Sequence, residues 1–473
     1  MLRPPAGQRY MDEPPPSLRS LWYILRNLAG KYQGKGWSEG VKLQEIVSSI
    51  DSTASPEESK FESATDSLGL LDSLVKASLN DGRWDIAFEI ASAMLDFYEF
   101  VKGEEDSRTM SAMNNLASAY WGLGQFDAAA ILGIRVTNLR KRILGERDPH
   151  TLTSMSNLAS AYRSQGKLED AERLDARVVE LKSQTLGAGH RSTLTSMMNL
   201  ASSLSEQGKY KEAVALNRTL VEKAESILDA TDPSMLTMKS NLASAYRDDG
   251  RFSLAQELDE EVLRVRRELL GSDHQLTLIS IANLASTYRG QEKWTKAEHL
   301  DRELVQKAEE TLGPKHPQTI MSFSNLASTC RGLGYLEEAK ELGEKSSNAM
   351  SEIQGKDHPQ TLIVLADLAV TYQVNGNTEA AARLTAQVAE LMKDSLGEEH
   401  PYTLSVKSNL GSIYQSQGEW NRAGDLAETV FYRRQELLGR NHPDTIAALE
   451  DMRRISWVEA ADRNTARVLS KQS

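Results

Sequence analysis

The chain holds one cysteine, Cys330, in 473 residues. That excludes an internal disulfide and any metal site built from several thiolates, and it fits a reducing, cytoplasmic setting. No run of apolar residues approaches the roughly 18 needed to span a membrane. The opening stretch, "MLRPPAGQRYMDEPPPSLRS", lacks the apolar centre of a secretory signal, so the "NRT" sequon at Asn217 carries no expectation of glycosylation. Positive charge is in deficit. Lys and Arg number 55 against 67 Asp and Glu, a net charge of −12, which argues against nucleic-acid binding through phosphate contacts. Strand-type alternation is missing throughout. So is the chemistry of most enzymes. "GKYQGKG" at 30–36 lacks the spacing and the Ser/Thr of a phosphate-binding loop, no G-x-S-x-G occurs, and no histidines are paired at ligand spacing. The reading is a non-enzyme that needs no cofactor and no metal.

What the chain has instead is repetition. "NLASAYRSQGKLEDAERL" at 157–174 returns as "NLASAYWGLGQFDAAAIL" from Asn115, "NLASAYRDDGRFSLAQEL" from Asn241 and "NLASTYRGQEKWTKAEHL" from Asn283. The anchors are Asn115, Asn157, Asn199, Asn241, Asn283, Asn325, Asp367 and Asn409, each 42 residues after the last. Eight such units fill 106–441. A worn copy, "SLVKASLNDGRWDIA", starts at Ser73, and another, out of register, at Asn27. Worn ends are expected where the last units face water rather than a neighbour. The division is therefore a Pro-rich, disordered 1–16, a degenerate helical cap over 17–105, the eight units, and a capping helix and tail over 442–473.

One unit reads as a helical hairpin. In 148–189, Leu152, Met155, Leu158, Ala159 and Tyr162 share one arc at 100° per residue, and Thr153, Ser156, Asn157, Ser160, Arg163 and Ser164 share the other. Asp148 before Pro149 is an N-cap followed by proline in the first turn, and Gly166 ends the helix. A second helix carries Leu168, Ala171, Leu174, Val178 and Leu181 on one face. Across the copies, leucine follows every anchor residue and alanine lies fourteen residues on, from Ala129 to Ala423. The alanine row marks a close helix–helix approach. His190, His274, His316, His358, His400 and His442 occupy the place that Asp148 and Asp232 hold elsewhere, which predicts capping rather than metal binding. Cys330 replaces a core tyrosine of its row and reads as a small buried hydrophobe.

Leucine–alanine, tyrosine, glycine and alanine in that order resemble the tetratricopeptide repeat. The 42-residue length and the "LGPKHPQT…NLA…G…EA" layout of 312–339 are similar to the longer form in kinesin light chains and in tandem arrays of filamentous-fungal proteins, including those that follow a nucleotide-binding domain in NLR-like receptors. The resemblance covers 106–446. It implies an all-α fold, a right-handed α-solenoid whose concave wall is lined by first helices and receives peptide or helical segments of partner proteins. Residues 1–70 contain no sustained heptads, so the motor-binding coiled coil of kinesin light chains is not part of the likeness.

On the polar face of the first helices run three rows. Asparagine is the anchor. Serine lies three residues on, and arginine six residues on in four copies. Amides can grip a peptide backbone without reading its sequence, and guanidinium groups can grip carboxylates. The candidate groove is thus Asn157, Ser160, Arg163, Asn199, Asn241, Ser244, Arg247, Asn283, Ser286, Arg289, Asn325, Ser328 and Arg331. By resemblance, its partners are proteins presenting acidic or aromatic-acidic linear segments. Two other readings stay open at this point: the asparagines bond to neighbouring helices and the arginines are salt-bridged. Trp121, at the arginine position of the first full copy, is either a partner contact or packs under the worn copy before it. At the level of function, the alternative to an adaptor is a self-associating scaffold, or a receptor-derived sensing array without its nucleotide-binding domain.

Overall fold

The computed structural model describes residues 25–32, 41–45, 48, 65–440 and 442–455. The expected disordered stretch 1–16 and the tail 456–473 lie outside the described residues. Every regular element among them is an α-helix, and no helix is long and apolar enough to cross a membrane. The chain forms two compact units, Met1–Thr185 and Leu186–Ser473. Each is a stack of helical hairpins, an α-solenoid.

The first unit holds the worn hairpin Thr65–Asn80 and Trp84–Lys102, then Ser107–Gly122 with Phe126–Ile143, then Pro149–Ser164 with the helix that starts at Leu168. Its core runs from Leu25, Leu71, Val75, Ile86 and Ile90 to Met110 and Met113, all essentially fully buried. The second unit runs from Arg191–Glu206 with Tyr210–Glu225 to Pro401–Ser416 with Trp420–Leu438, and helix continues at 443–455.

The sequence dictates the hairpin at three points. First helices open on a side-chain cap. Asp106, Asp148 and Asp232 accept from the backbone N–H two residues on, at 2.7–2.8 Å. His190, His274, His316, His358, His400 and His442 do the same through Nδ1, at 3.1–3.2 Å. The turn between helices needs φ > 0, and glycine supplies it in every copy except at Glu292, a non-glycine held at φ 58°. The alanine row then lets the two helices close. Ala171, Ala213, Ala255, Ala297, Ala339, Ala381 and Ala423 are all fully buried.

Candidate functional site

Within each unit, successive first helices pack against one another as well as against their own second helices. The first helices therefore lie on the inner side of the stack. Their exposed stripe, set by the 3.6-residue period, carries the positions four before the anchor, the anchor itself, and three and seven after it. This is the wall on which the predicted rows fall.

The asparagines form a partial ladder. Asn115 Nδ2 donates to Asp72 Oδ1 (2.8 Å), Asn157 Nδ2 to Asn114 Oδ1 (3.2 Å) and Asn283 Nδ2 to Ser240 Oγ (3.0 Å). Each bond reaches back to the residue just before the preceding anchor. Asp367 keeps the geometry with the roles reversed, accepting from Ser324 Oγ at 3.2 Å. Where that neighbouring position holds Met198 or Ala282, no such bond can form. The amides of Asn241 and Asn325 are left half-exposed on the wall. Asn199 is half-exposed as well. Ser160 and Ser328 accept from the arginine one turn on, at 3.0 and 3.2 Å, while Ser244 and Ser286 sit half-buried on the same stripe.

The arginine row divides. Arg163, Arg247 and Arg289 each place Nη1 2.7 Å from a buried carboxylate, on Asp175, Asp259 and Asp301. The aspartate side chains are 1%, 2% and 0% exposed, so these are buried ion pairs joining the two helices of one hairpin. Thr287 and Thr329 of the next repeats donate to Asp259 and Asp301 at 2.6 Å, which carries the network across the repeat boundary. Burial pushes the Asp259 and Asp301 carboxyls up, opposed by their arginines and threonines.

Arg331 is different. Its aspartate position is taken by Gly343. Nη1 donates to Thr371 Oγ1 (2.9 Å) and Asp367 O (3.4 Å), and Nη2 to Ser328 Oγ (3.2 Å). Among the described residues it has hydrogen-bond acceptors but no ion pair, and burial lowers its pKa against the pull of the nearby Asp367 charge. The pairing was legible. Arg and Asp twelve residues apart occur together in three copies. Where Trp121, Ser205, Gln373 or Gln415 replaces the arginine, Gly133, Asn217, Thr385 or Ala427 replaces the aspartate. Only Arg331 stands without its carboxylate.

Two features escaped the sequence reading. The position four before the anchor is apolar in three successive copies, Ile279, Met321 and Ile363, where Thr237 and Ser405 flank them. Ile279 is 37% exposed, and Val370 and Val374 extend the apolar surface on the last of the three. A single substitution per repeat is too weak a periodic signal to stand out from the helix stripe. The second is a row of buried arginines on second helices. Arg140 and Arg266 donate to the first-turn carbonyls of His150 and Leu276 and to Ser154 and Ser280, and Arg434 to Asp444 O. Burial lowers the pKa of all three.

Trp121 packs edge-on against Trp84 of the worn copy (6.2 Å, 86°) and donates to Ser164 Oγ at 2.8 Å. Cys330 is fully buried, its thiol pushed up to about 12 by burial, so it is a core residue and not a poised nucleophile. No group of three or more His, Cys, Asp or Glu among the described residues is arranged to hold a metal.

Models of the tetratricopeptide repeat match residues 109–150, 150–226, 234–310, 278–350, 361–402 and 403–444. No curated protein matches significantly. A solved structure of a putative kinesin light chain with nearly identical TPR-like repeats, from Podospora anserina, is 30% identical over 44% of this chain and 98% of its own, at a TM-score of 0.37. A Rap protein solved with Competence and Sporulation Factor is 12% identical over 79% of this chain and 96% of its own, at a TM-score of 0.51. The quorum sensor NprR of B. thuringiensis is 14% identical over 78% and 99%, at 0.47. The repeat models, the 42-residue period and the capped hairpins agree: this chain belongs to the tetratricopeptide repeat family, with repeats of the kinesin light chain-like type.

Proposed function

We propose that the chain is a protein-binding scaffold whose inner wall, between the Asn241 and Asp367 repeats, holds a segment of a partner protein. Ile279, Met321 and Ile363 take apolar side chains of that segment. The half-exposed amides of Asn241 and Asn325 hold its backbone, beside Ser244, Ser286 and Ser328. Arg247 and Arg289 support the wall through their aspartates. Arg331 takes a carboxylate of the partner. The observation that carries this reading is the lone guanidinium: three copies of the repeat give this arginine a carboxylate twelve residues on, and the fourth leaves it without one, on the same wall as Met321 and Ile363. A charge-assisted contact of that kind contributes roughly 1.5–3 kcal/mol.

The test is selection of a displayed random-peptide library on the full chain. Wild type should enrich peptides with Asp or Glu at a fixed distance from apolar residues. Gly343→Asp restores the internal pairing seen in the other repeats. An added Cβ there lies 3.0 Å from the terminal Cδ1 methyl of Leu368, which must shift by a few tenths of an ångström. This variant and Arg331→Met should both lose the acid preference, with affinity for selected acidic peptides falling about tenfold. Unchanged acid preference in both would remove Arg331 from the site. Unchanged binding in Met321→Glu would remove the wall.

A further inference from the structure

The turns between helices repeat along the chain with the same backbone, but one of them touches something far away. Gly250 (φ +74°) has open space where a Cβ would point. Gly208 (φ +69°) does not: a Cβ there would lie 2.5 Å from His442 Nε2, 2.8 Å from His442 Cδ2 and 3.0 Å from Pro443 Cδ. These residues open and close the second unit. The unit therefore comes full circle in sequence terms, its first turn meeting the cap of its last helix. The capping histidines follow the same course. His190 and His274 are exposed, His316 and His358 half-exposed, and His400 and His442 buried at 6% exposure. Tyr402 feels the charge of Glu206, and Tyr210 that of Asp444, so charges and phenols face each other across the same junction.

His442 is poised in this contact. Its Nδ1 accepts from the Asp444 N–H at 3.1 Å, which places the neutral ring's proton on Nε2. That N–H is buried against Gly208 with no acceptor among the described residues. A second proton must go to Nδ1, where it removes the cap and leaves a cation in a buried contact. Asp444 favours the added charge and Arg434 opposes it, while Lys209, Tyr210 and Glu206 border the site from the facing turn. Burial outweighs the rest and holds the imidazole below the usual histidine value.

We propose that the Gly208–His442 contact is a clasp that keeps the second unit closed around its inner wall, and that protonating His442 opens it to a partner segment. The regulatory part rests on the wall being the binding surface; the clasp itself does not. It is tested by pulsed electron spin resonance on the full chain, with spin labels at exposed Lys211 and Arg440 after substitution to cysteine. Buried Cys330 stays unlabelled.

The wild-type distance should be short and narrow near pH 7.5 and shift to longer, broader values near pH 5.5. His442→Asn keeps a capping side chain without a titrating ring and should hold the short distance at both pH values. Gly208→Ala should give the long distance at both. Gly250→Ala pays the same left-handed backbone cost in open space and should behave as wild type. A wild-type distance independent of pH, or a Gly208→Ala distance equal to that of Gly250→Ala, overturns the proposal. No partner is needed for this readout, so it stands apart from the peptide selection, whose failure would instead remove the wall.

Discussion

At the residue scale, the decisive question is what each arginine already touches. Asp301 is fully buried and Arg289 is 16% exposed, so both ions left water on folding. Such pairs often do no better than a well-packed apolar pair, yet breaking one side strands the other charge. The upward push on the Asp301 carboxyl agrees, since it shows burial winning over the arginine. Asp301→Ala alone should therefore cost about 3–5 kcal/mol in urea unfolding. Arg289→Met with Asp301→Leu should recover most of that. A double substitution as damaging as the single one would mean that the pair itself stabilises the hairpin. The residue types of this network were all visible in the sequence. The spacing is legible but not the direction: the polar arc leaves a partner contact and a salt bridge both open, and the aspartate twelve residues on, on the second helix, draws the arginine inward.

At the element scale, hairpins lock to each other through size matching that also spans repeats. A Cβ on Gly290 would lie 2.3 Å from the Phe252 ring, and one on Gly332 would lie 2.4 Å from the Trp294 ring. Thirty-eight residues separate each glycine from its ring. Gly332→Ala should thus cost about 1–3 kcal/mol by overpacking, and Trp294→Leu in the same chain should relieve it. Thermal melts of the single and double variants decide this; an Ala variant as stable as wild type would show that the ring moves freely. The hairpins themselves were legible down to their caps, because capping needs only one residue type at one place. The histidine caps show why the role mattered more than the residue: Nδ1 accepts from the second backbone N–H as the aspartate oxygen does.

At the scale of the whole molecule, pH acts in two directions. Burial raises Asp259, Asp301 and Asp367. A carboxyl raised in the folded state adds stability as pH falls through that raised value toward the ordinary carboxylate value. His442 is lowered, so the unfolded chain takes up its proton first, and its contribution, full above about pH 6.5, is lost as pH falls below that. The urea midpoint of wild type should drop between pH 7.5 and 5.5 relative to that of His442→Asn. Parallel midpoints would deny His442 any part in the change. The long-range contact behind this was invisible in the sequence. Periodicity fixes what each repeat does to the next, but not the rotation per repeat, and only the accumulated rotation brings residue 442 back to residue 208.

The lateral bonds between first helices have one more consequence, for how such a chain changes over generations. Whether an asparagine keeps its amide at home or offers it outward is written in the preceding repeat, at the residue just before that repeat's own anchor. Met198 and Ala282 release Asn241 and Asn325; Ser240 retains Asn283. A single change such as Ala282→Ser would give the Asn325 amide an acceptor one repeat away and leave every other side chain of the wall intact. On the wall proposed above, specificity would then drift without any alteration at the residues that express it, and two chains with identical grooves on paper would not grip alike.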